Sequence, residues 1–223
     1  MNAWTARTAR FALCWAISSP LLGCGGGGSS PEPVACIPVH AIVQIEGDSI
    51  AHGTGATDLA FTPPGLLRAA GFTVVDTALP GSTSADRISG DVIRGQGTRF
   101  QPFPQGIVGN VYLTEWGVNN ALYGMSVEAF KADLRKIASV PGAILMTPTP
   151  MADIDDSAYA QAVRDIGAEL RVTVVDVNAY VLSLPNWRVL LVDGVHPSDA
   201  LYRMVYAQVA PVVRAKVNEL ECR

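Results

Sequence analysis

Charge is what these 223 residues have least of: 16% are Asp, Glu, Lys or Arg, against 49% in the hydrophobic set. A globular chain carries roughly 25% charged residues, so a disordered tail, a long coiled coil or a solvated linker is excluded. No run of Lys and Arg occurs and the net charge is −4, which excludes a binder of nucleic-acid phosphates. There are three histidines without paired spacing and four cysteines without a Cys-x-x-Cys pair, so no metal site is expected. Gly53-Thr54-Gly55 lacks the third glycine of a dinucleotide fingerprint, and no Walker sequence occurs. No cofactor is expected. A Gly-x-Ser-x-Gly elbow is missing too, since Ala51 stands two residues beyond Ser49. Finally, no segment offers the about 20 uninterrupted apolar residues that a bilayer span requires.

What is present begins with an address. Arg7 and Arg10 precede an apolar stretch over residues 11–22 that Ser18, Ser19 and Pro20 break, the layout of a secretory signal peptide. It ends Leu21-Leu22-Gly23-Cys24, which resembles the bacterial lipobox. That resemblance implies cleavage before Cys24 and lipidation of its thiol. It also implies the outer membrane, because Gly25 and not Asp follows. Two or three acyl chains would anchor the chain stably. Gly25 to Gly28 with Ser29, Ser30, Pro31 and Pro33 make a flexible tether. Residues 1–23 are thus expected to be signal, 24–39 tether and 40–223 one folded domain, a size that supports a single large core. Cleavage removes two arginines and no acid, leaving fourteen basic against twenty acidic side chains, a net of −6. Cys36 and Cys222 then remain in an oxidising compartment at the two ends of the domain. A disulfide between them is expected, worth about 4–5 kcal/mol on the loop-entropy model; the alternative is two free thiols.

From His40 onward, short apolar runs alternate with amphipathic stretches. Strands are expected over 41–45, 72–79, 107–116, 143–147 and 172–177. Helices are expected over 63–70, 84–93, 126–138 and from Asp155 or Asp156 to 170. A closing helix follows Pro197 to about 220, interrupted only by Pro211. This alternation implies an α/β fold: a five-stranded, mostly parallel sheet covered by helices on both faces, with ligands at the carboxyl ends of the strands.

The chemistry-bearing residues stand at those ends, in Gly47-Asp48-Ser49-Ile50, Gly81-Ser82-Thr83, Gly117-Val118-Asn119-Asn120 and Asp193-Gly194-Val195-His196-Pro197. Each alone is ordinary turn chemistry. Together they supply a nucleophile, small oxyanion donors, an acid and a base. A serine hydroxyl needs an imidazole to take its proton, and the imidazole needs a carboxylate to fix its tautomer. Asp193 and His196 are three residues apart, so one turn can join them. Gly81 can offer an unobstructed N–H and Asn119 a side-chain amide.

This set, in this order over about residues 41–207, resembles the SGNH hydrolases, also called the GDSL esterase and lipase family. The resemblance implies a flavodoxin-like three-layer α/β/α sandwich and a serine ester hydrolase. It implies Ser49 as nucleophile, Asp193 and His196 as acid and base, and Ser49, Gly81 and Asn119 as the oxyanion hole. Gly117 belongs to the third block. That block usually continues with Asp, and here Asn120 keeps the hydrogen bonding without the charge; Ile50 replaces the common Leu.

The expected substrate is a small carboxylic ester of a lipid or an acylated glycan. The alternatives are a lysophospholipase or thioesterase activity, and a non-catalytic envelope lipoprotein that binds glycan or lipid on the same fold. Asp48 is expected to brace the nucleophile turn, and Asp176 to cap. His40 and His52, without an Asp-x-x-His partner, read as surface or packing residues. Trp116, Tyr123 and Trp187 read as core, with pocket lining as the alternative.

Overall fold

The computed structural model describes residues 41–93 and 97–221, all within one unit, Cys36–Arg223. The signal segment, the tether, His40, Cys24, Cys36 and Cys222 lie outside the described residues. Five strands form the sheet: β1 (Ile42–Gly47), β2 (Thr73–Asp76), β3 (Val111–Glu115), β4 (Ala143–Met146) and β5 (Thr173–Val175). Their order is β2-β1-β3-β4-β5. Every pairing is parallel, so the sheet is wholly rather than mostly parallel. This is the flavodoxin-like order, in which the chain switches direction across the sheet beside β1.

Among the described residues the helices are α1 (Ser49–His52), α2 (Pro63–Ala69), α3 (Ser84–Ser89), α4 (Val118–Leu122), α5 (Val127–Ala138), α6 (Ser157–Leu170), α7 (Val177–Ser183) and α8 (Asp199–Glu221). Alternate strand residues feed two cores. Val43, Ile45, Val111, Leu113, Ile144 and Met146 pack with Ile50, Leu67, Val181 and Leu201 from α1, α2, α7 and α8. On the opposite face, Tyr112, Ala143 and Leu145 pack with Phe130, Leu134, Val163 and Ile166 from α5 and α6. Each such fully buried aliphatic or aromatic side chain contributes about 1.5–3 kcal/mol relative to exposure.

Several boundaries differ from the sequence expectation for local reasons. β2 stops at Asp76 because its carboxylate takes the Ala78 N–H at 3.0 Å and turns the chain. β3 starts late because the Val108 and Gly109 N–H groups bond the Gln44 side chain, at 2.8 and 3.1 Å, in place of a neighbouring strand. α3 ends four residues early, at Gly90 in the left-handed conformation. α6 starts at Ser157, with Asp156 as its N-cap. α8 is not interrupted: it runs on through Pro211, giving up one backbone donor. α4 and α7 were not expected, being too short to show a helical period. No helix among the described residues is long and apolar enough to cross a membrane.

Candidate active site

β1 delivers Ser49, the expected nucleophile. A Cβ on Gly47 would stand 2.4 Å from the Glu115 carbonyl oxygen and 2.7 Å from the Ala51 Cβ, so only glycine lets the end of β1 pass this close to β3. The next residue, Asp48, is the N-cap of α1, its Oδ1 accepting from the Ile50 N–H at 2.9 Å. Ser49 is therefore the first residue of a one-turn helix that Gly53 terminates, not part of an open turn. This fixes the hydroxyl at the carboxyl end of the sheet.

His196 comes from 147 residues away, and its Nε2 lies 2.9 Å from Ser49 Oγ. Its Nδ1 lies 2.7 Å from Asp193 Oδ2. Asp193 Oδ1 also accepts from the backbone N–H groups of Val195 and His196, at 3.0 and 2.8 Å. Burial acts to raise Asp193, but the hydrogen bonds from His196 and Val195 outweigh it and hold the carboxyl at about 2. An ionised Asp193 keeps the ring proton on Nδ1 and leaves Nε2 free to accept from the serine. The loop is stapled at its neck by Val192 N–H to the His196 carbonyl (2.9 Å) and Ser198 N–H to the Leu190 carbonyl (2.8 Å). Ala152 N–H donates to the Gly194 carbonyl at 2.8 Å, buttressing it from the side.

Gly81 sits in a turn with φ 78°. Ser82 ties that turn down, its hydroxyl donating to the Leu79 carbonyl at 2.6 Å. Asn119 Nδ2 donates to the Ser82 carbonyl at 2.8 Å, which draws the amide to the Gly81–Ser82 turn. Asn119 rides on α4, whose N-cap Gly117 has φ 131° and presses so close to Pro148 that a Cβ would lie 3.0 Å from its ring. Asn120 is fully buried. Its Nδ2 donates to Ser84 Oγ at 2.9 Å, and its Oδ1 accepts from the Ser84 N–H at 3.4 Å. The amide donor is in use, which explains why Asn suits this position where a carboxylate would have nothing to give.

Asp48 braces the turn at Ser49 as expected, but sequence reasoning missed two glutamates, Glu115 and Glu46. Glu115 is buried, and its Oε1 accepts from both the N–H and the hydroxyl of Thr149 at 3.0 Å. Burial and the nearby Asp48 push it up to about 8. Asp48 is itself pushed to about 6 by burial, and its Oδ2 has no hydrogen-bond partner among the described residues. On the other face of the sheet, buried Glu46 accepts from Arg87 Nε at 2.5 Å and from the Tyr112 hydroxyl. The visible signal for both was a glutamate at or next to the carboxyl end of a buried strand.

His52 does have a carboxylate partner, Asp76 at the end of β2, with Nδ1 3.2 Å from Oδ2. Trp116 and Trp187 are core residues, while Tyr123 is partly exposed and its hydroxyl reaches the Gly81 carbonyl at 3.5 Å. Asp176 caps α7 through the Ala179 N–H at 3.1 Å and pairs with Arg164 at 2.8 Å. No group of three His, Cys, Asp or Glu side chains among the described residues is placed to hold a metal ion.

A serine, a histidine and an aspartate in hydrogen-bonded series, at the strand ends of a parallel β2-β1-β3-β4-β5 sheet, make a candidate hydrolase site on a doubly wound fold. Comparison with known families narrows this: the chain belongs to the GDSL-like lipase/acylhydrolase family, whose model matches residues 46–204. Among solved structures it is similar to the lipase/acylhydrolase from Enterococcus faecalis, with a TM-score of 0.61 and 20% identity over 80% of this chain and 97% of that one. It is similar to the psychrotrophic esterase EstA from Pseudoalteromonas sp., with a TM-score of 0.60 and 14% identity over 80% of this chain and 99% of that one. A two-domain esterase active on acetylated mannans gives a TM-score of 0.55 at 17% identity, over 79% of this chain and 49% of that one. At such identities these likenesses bear on the fold alone. No curated protein sequence matches the chain.

Proposed function

We propose that the protein is a serine ester hydrolase working through an acyl-enzyme, with a small carboxylic ester of a lipid or an acylated glycan as substrate. The observation that carries this reading is the series Ser49 Oγ to His196 Nε2 (2.9 Å) and His196 Nδ1 to Asp193 Oδ2 (2.7 Å). Ser49 Oγ attacks the ester carbonyl carbon as its proton passes to His196 Nε2, and Asp193 stabilises the imidazolium. The oxyanion of the tetrahedral intermediate accepts from the Ser49 and Gly81 N–H groups and from the Asn119 amide. Collapse breaks the bond to the alcohol oxygen, which leaves with the proton from His196. Water then attacks the acyl-enzyme, giving its proton to His196, and Ser49 departs with that proton as the acid is released. The esterases among the structural neighbours lend the ester chemistry support.

The test is hydrolysis of p-nitrophenyl esters from acetate to palmitate, beside a Ser49→Ala twin. Turnover is expected in the wild type and not in the twin, with unchanged circular dichroism. Equal turnover in both would refute the assignment. We infer separately, from the sequence alone, that Cys24 anchors the chain by lipid in the bacterial envelope and that Cys36 pairs with Cys222.

A further inference from the structure

A cavity of about 320 Å³ lies between residues 150–157, α7 and residues 187–190, and the reaction derived above does not use it. One polar group in its lining is unexplained by the fold. Asp156 is 4% exposed, and its Oδ2 has no hydrogen-bond partner among the described residues. Asp156 stands at the N-cap of α6, yet its side chain accepts no capping bond. Its hydrogen bonds come instead from the Met151 N–H and the Asn178 side chain, and both residues line the cavity. A buried acceptor left without a donor is costly, the more so when it is charged.

Two further acids, Asp153 and Asp155, line the same cavity and are exposed. Among the described residues none of the three is in an ion pair. Asp155 Oδ1 already takes the first N–H of α6, from Ser157 at 2.9 Å. The one cation in the lining, Arg188, is laid over the Trp187 ring at 4.6 Å and turns its Nε to the Ala152 carbonyl at 3.4 Å. Three carboxyl groups thus stand against one guanidinium, which favours a cation over an anion. A metal ion does not fit, since no group of three His, Cys, Asp or Glu side chains among the described residues is placed to hold one. The remaining walls are apolar, from Met151, Ile154, Leu182 and Trp187. An apolar recess with a few placed polar groups is the usual form of a small-molecule site. A primary ammonium on a short alkyl chain answers both features: it brings three donors for the carboxyl groups and methylenes for the walls.

We propose that this cavity is a second binding site, separate from Ser49, for a primary alkylammonium that donates to Asp156 while Asp153 and Asp155 attract it to the mouth. It adjoins the support of the Asp193–His196 loop. Ala152 lines it, donates to the Gly194 carbonyl at 2.8 Å, and would stand 3.6 Å, Cβ to Cβ, from a side chain at Gly194.

The test titrates butylammonium into the protein and follows the indole N–H resonances of its four tryptophans by NMR, with Trp187 in the cavity wall. A saturable shift at Trp187 is expected, with the same affinity in Ser49→Ala. Tetramethylammonium has the charge but no N–H donor, and is expected to bind about 10-fold more weakly or worse. Asp156→Asn is expected to weaken butylammonium by about 10-fold. A pH series on the wild type needs no variant. Butylammonium stays charged from pH 6 to pH 8, whereas burial sets Asp156 at about 7, so affinity should tighten about 5-fold or more across that range. The charged groups facing Asp156 are Asp155 and Asp153 beside it, Arg188 across the cavity and Glu115 at the end of β3. Glu115, raised to about 8, acts in the same direction, so Asp156→Asn should flatten the series without abolishing it. No saturable shift, equal affinity for the two ammonium ions, unchanged binding in Asp156→Asn, or a flat series in the wild type would each overturn the proposal. If Asp156→Asn fails to fold, the wild-type series and the tetramethylammonium comparison decide.

Discussion

Replacing Glu115 by Gln should make the protein more stable, and more so the higher the pH. Glu115 is fully buried beneath the nucleophile turn, and burial with the nearby Asp48 raises its pKa from the ordinary 4.5 to about 8. An acid with a raised value binds its proton more tightly in the folded chain than in the unfolded one. Its stabilising contribution is full below the unfolded value and is lost as pH rises through the folded value. Linkage between 4.5 and about 8 gives a loss of about 1 kcal/mol at pH 5 and about 4 kcal/mol at pH 8. Gln cannot ionise, yet its carbonyl oxygen can still accept from the N–H and hydroxyl of Thr149, as Glu115 Oε1 does at 3.0 Å. The variant should therefore match the wild type within about 1 kcal/mol at pH 5 and exceed it by a few kcal/mol at pH 8. Urea unfolding at the two pH values measures this directly. Asp48 and Asp156, also raised by burial, to about 6 and about 7, are present in both proteins and largely cancel in the difference. A stability difference that does not grow between pH 5 and pH 8 would refute the reasoning.

Asn119→Ala should lower kcat by about 100-fold or more, the scale of one oxyanion donor; steady-state rates on p-nitrophenyl acetate test it, and a loss confined to KM would contradict the role. Asn120→Asp, although it restores the residue usual in the family's third block, should destabilise the fold by about 1–3 kcal/mol at pH 7, because a buried carboxylate would replace the donor to Ser84 Oγ. Equal urea midpoints for that variant and the wild type would mean that the Ser84 hydroxyl swings over from Asp133, to which it now donates at 2.8 Å. Cys24→Ser should abolish incorporation of labelled palmitate in a bacterial host, and retained label would refute the anchor.

The sequence was legible where the chemistry is local. Asp193 and His196 are three residues apart, so their pairing follows from one turn, and the glycine before Asp48-Ser49 marks a strand handing over to its loop. The periodic helices α5 and α6 and the buried strand β4 follow from hydrophobic spacing alone. Contacts that need the strand order were not legible. Glu115 comes under the nucleophile turn only because β1 and β3 are neighbours with Gly47 opposite Glu115. His52 meets Asp76 only because β2 flanks β1 on its other side. α4 and α7, at five and seven residues, are shorter than the pattern that identifies a helix.

These unforeseen contacts share a purpose. At its carboxyl end the sheet is polar on both faces, an arrangement that lowers stability unless each group does something in return. On one face Glu46 holds Arg87, and Arg87 passes to the carbonyls of Gln101 and Gln105 at 2.9 and 3.0 Å, fixing the segment before β3. On the other face Glu115 holds Thr149, three residues before Ala152, whose N–H supports the Gly194 carbonyl between Asp193 and His196. The route from a buried glutamate to the Asp193–His196 loop is thus short and wholly hydrogen-bonded at its two ends. It uses Glu115 as an acceptor at Thr149, not as a charge. A neutral glutamine fills that role equally well, so the pH-dependent stability should be separable from the placing of Asp193 and His196: Glu115→Gln should change the first and leave the second intact.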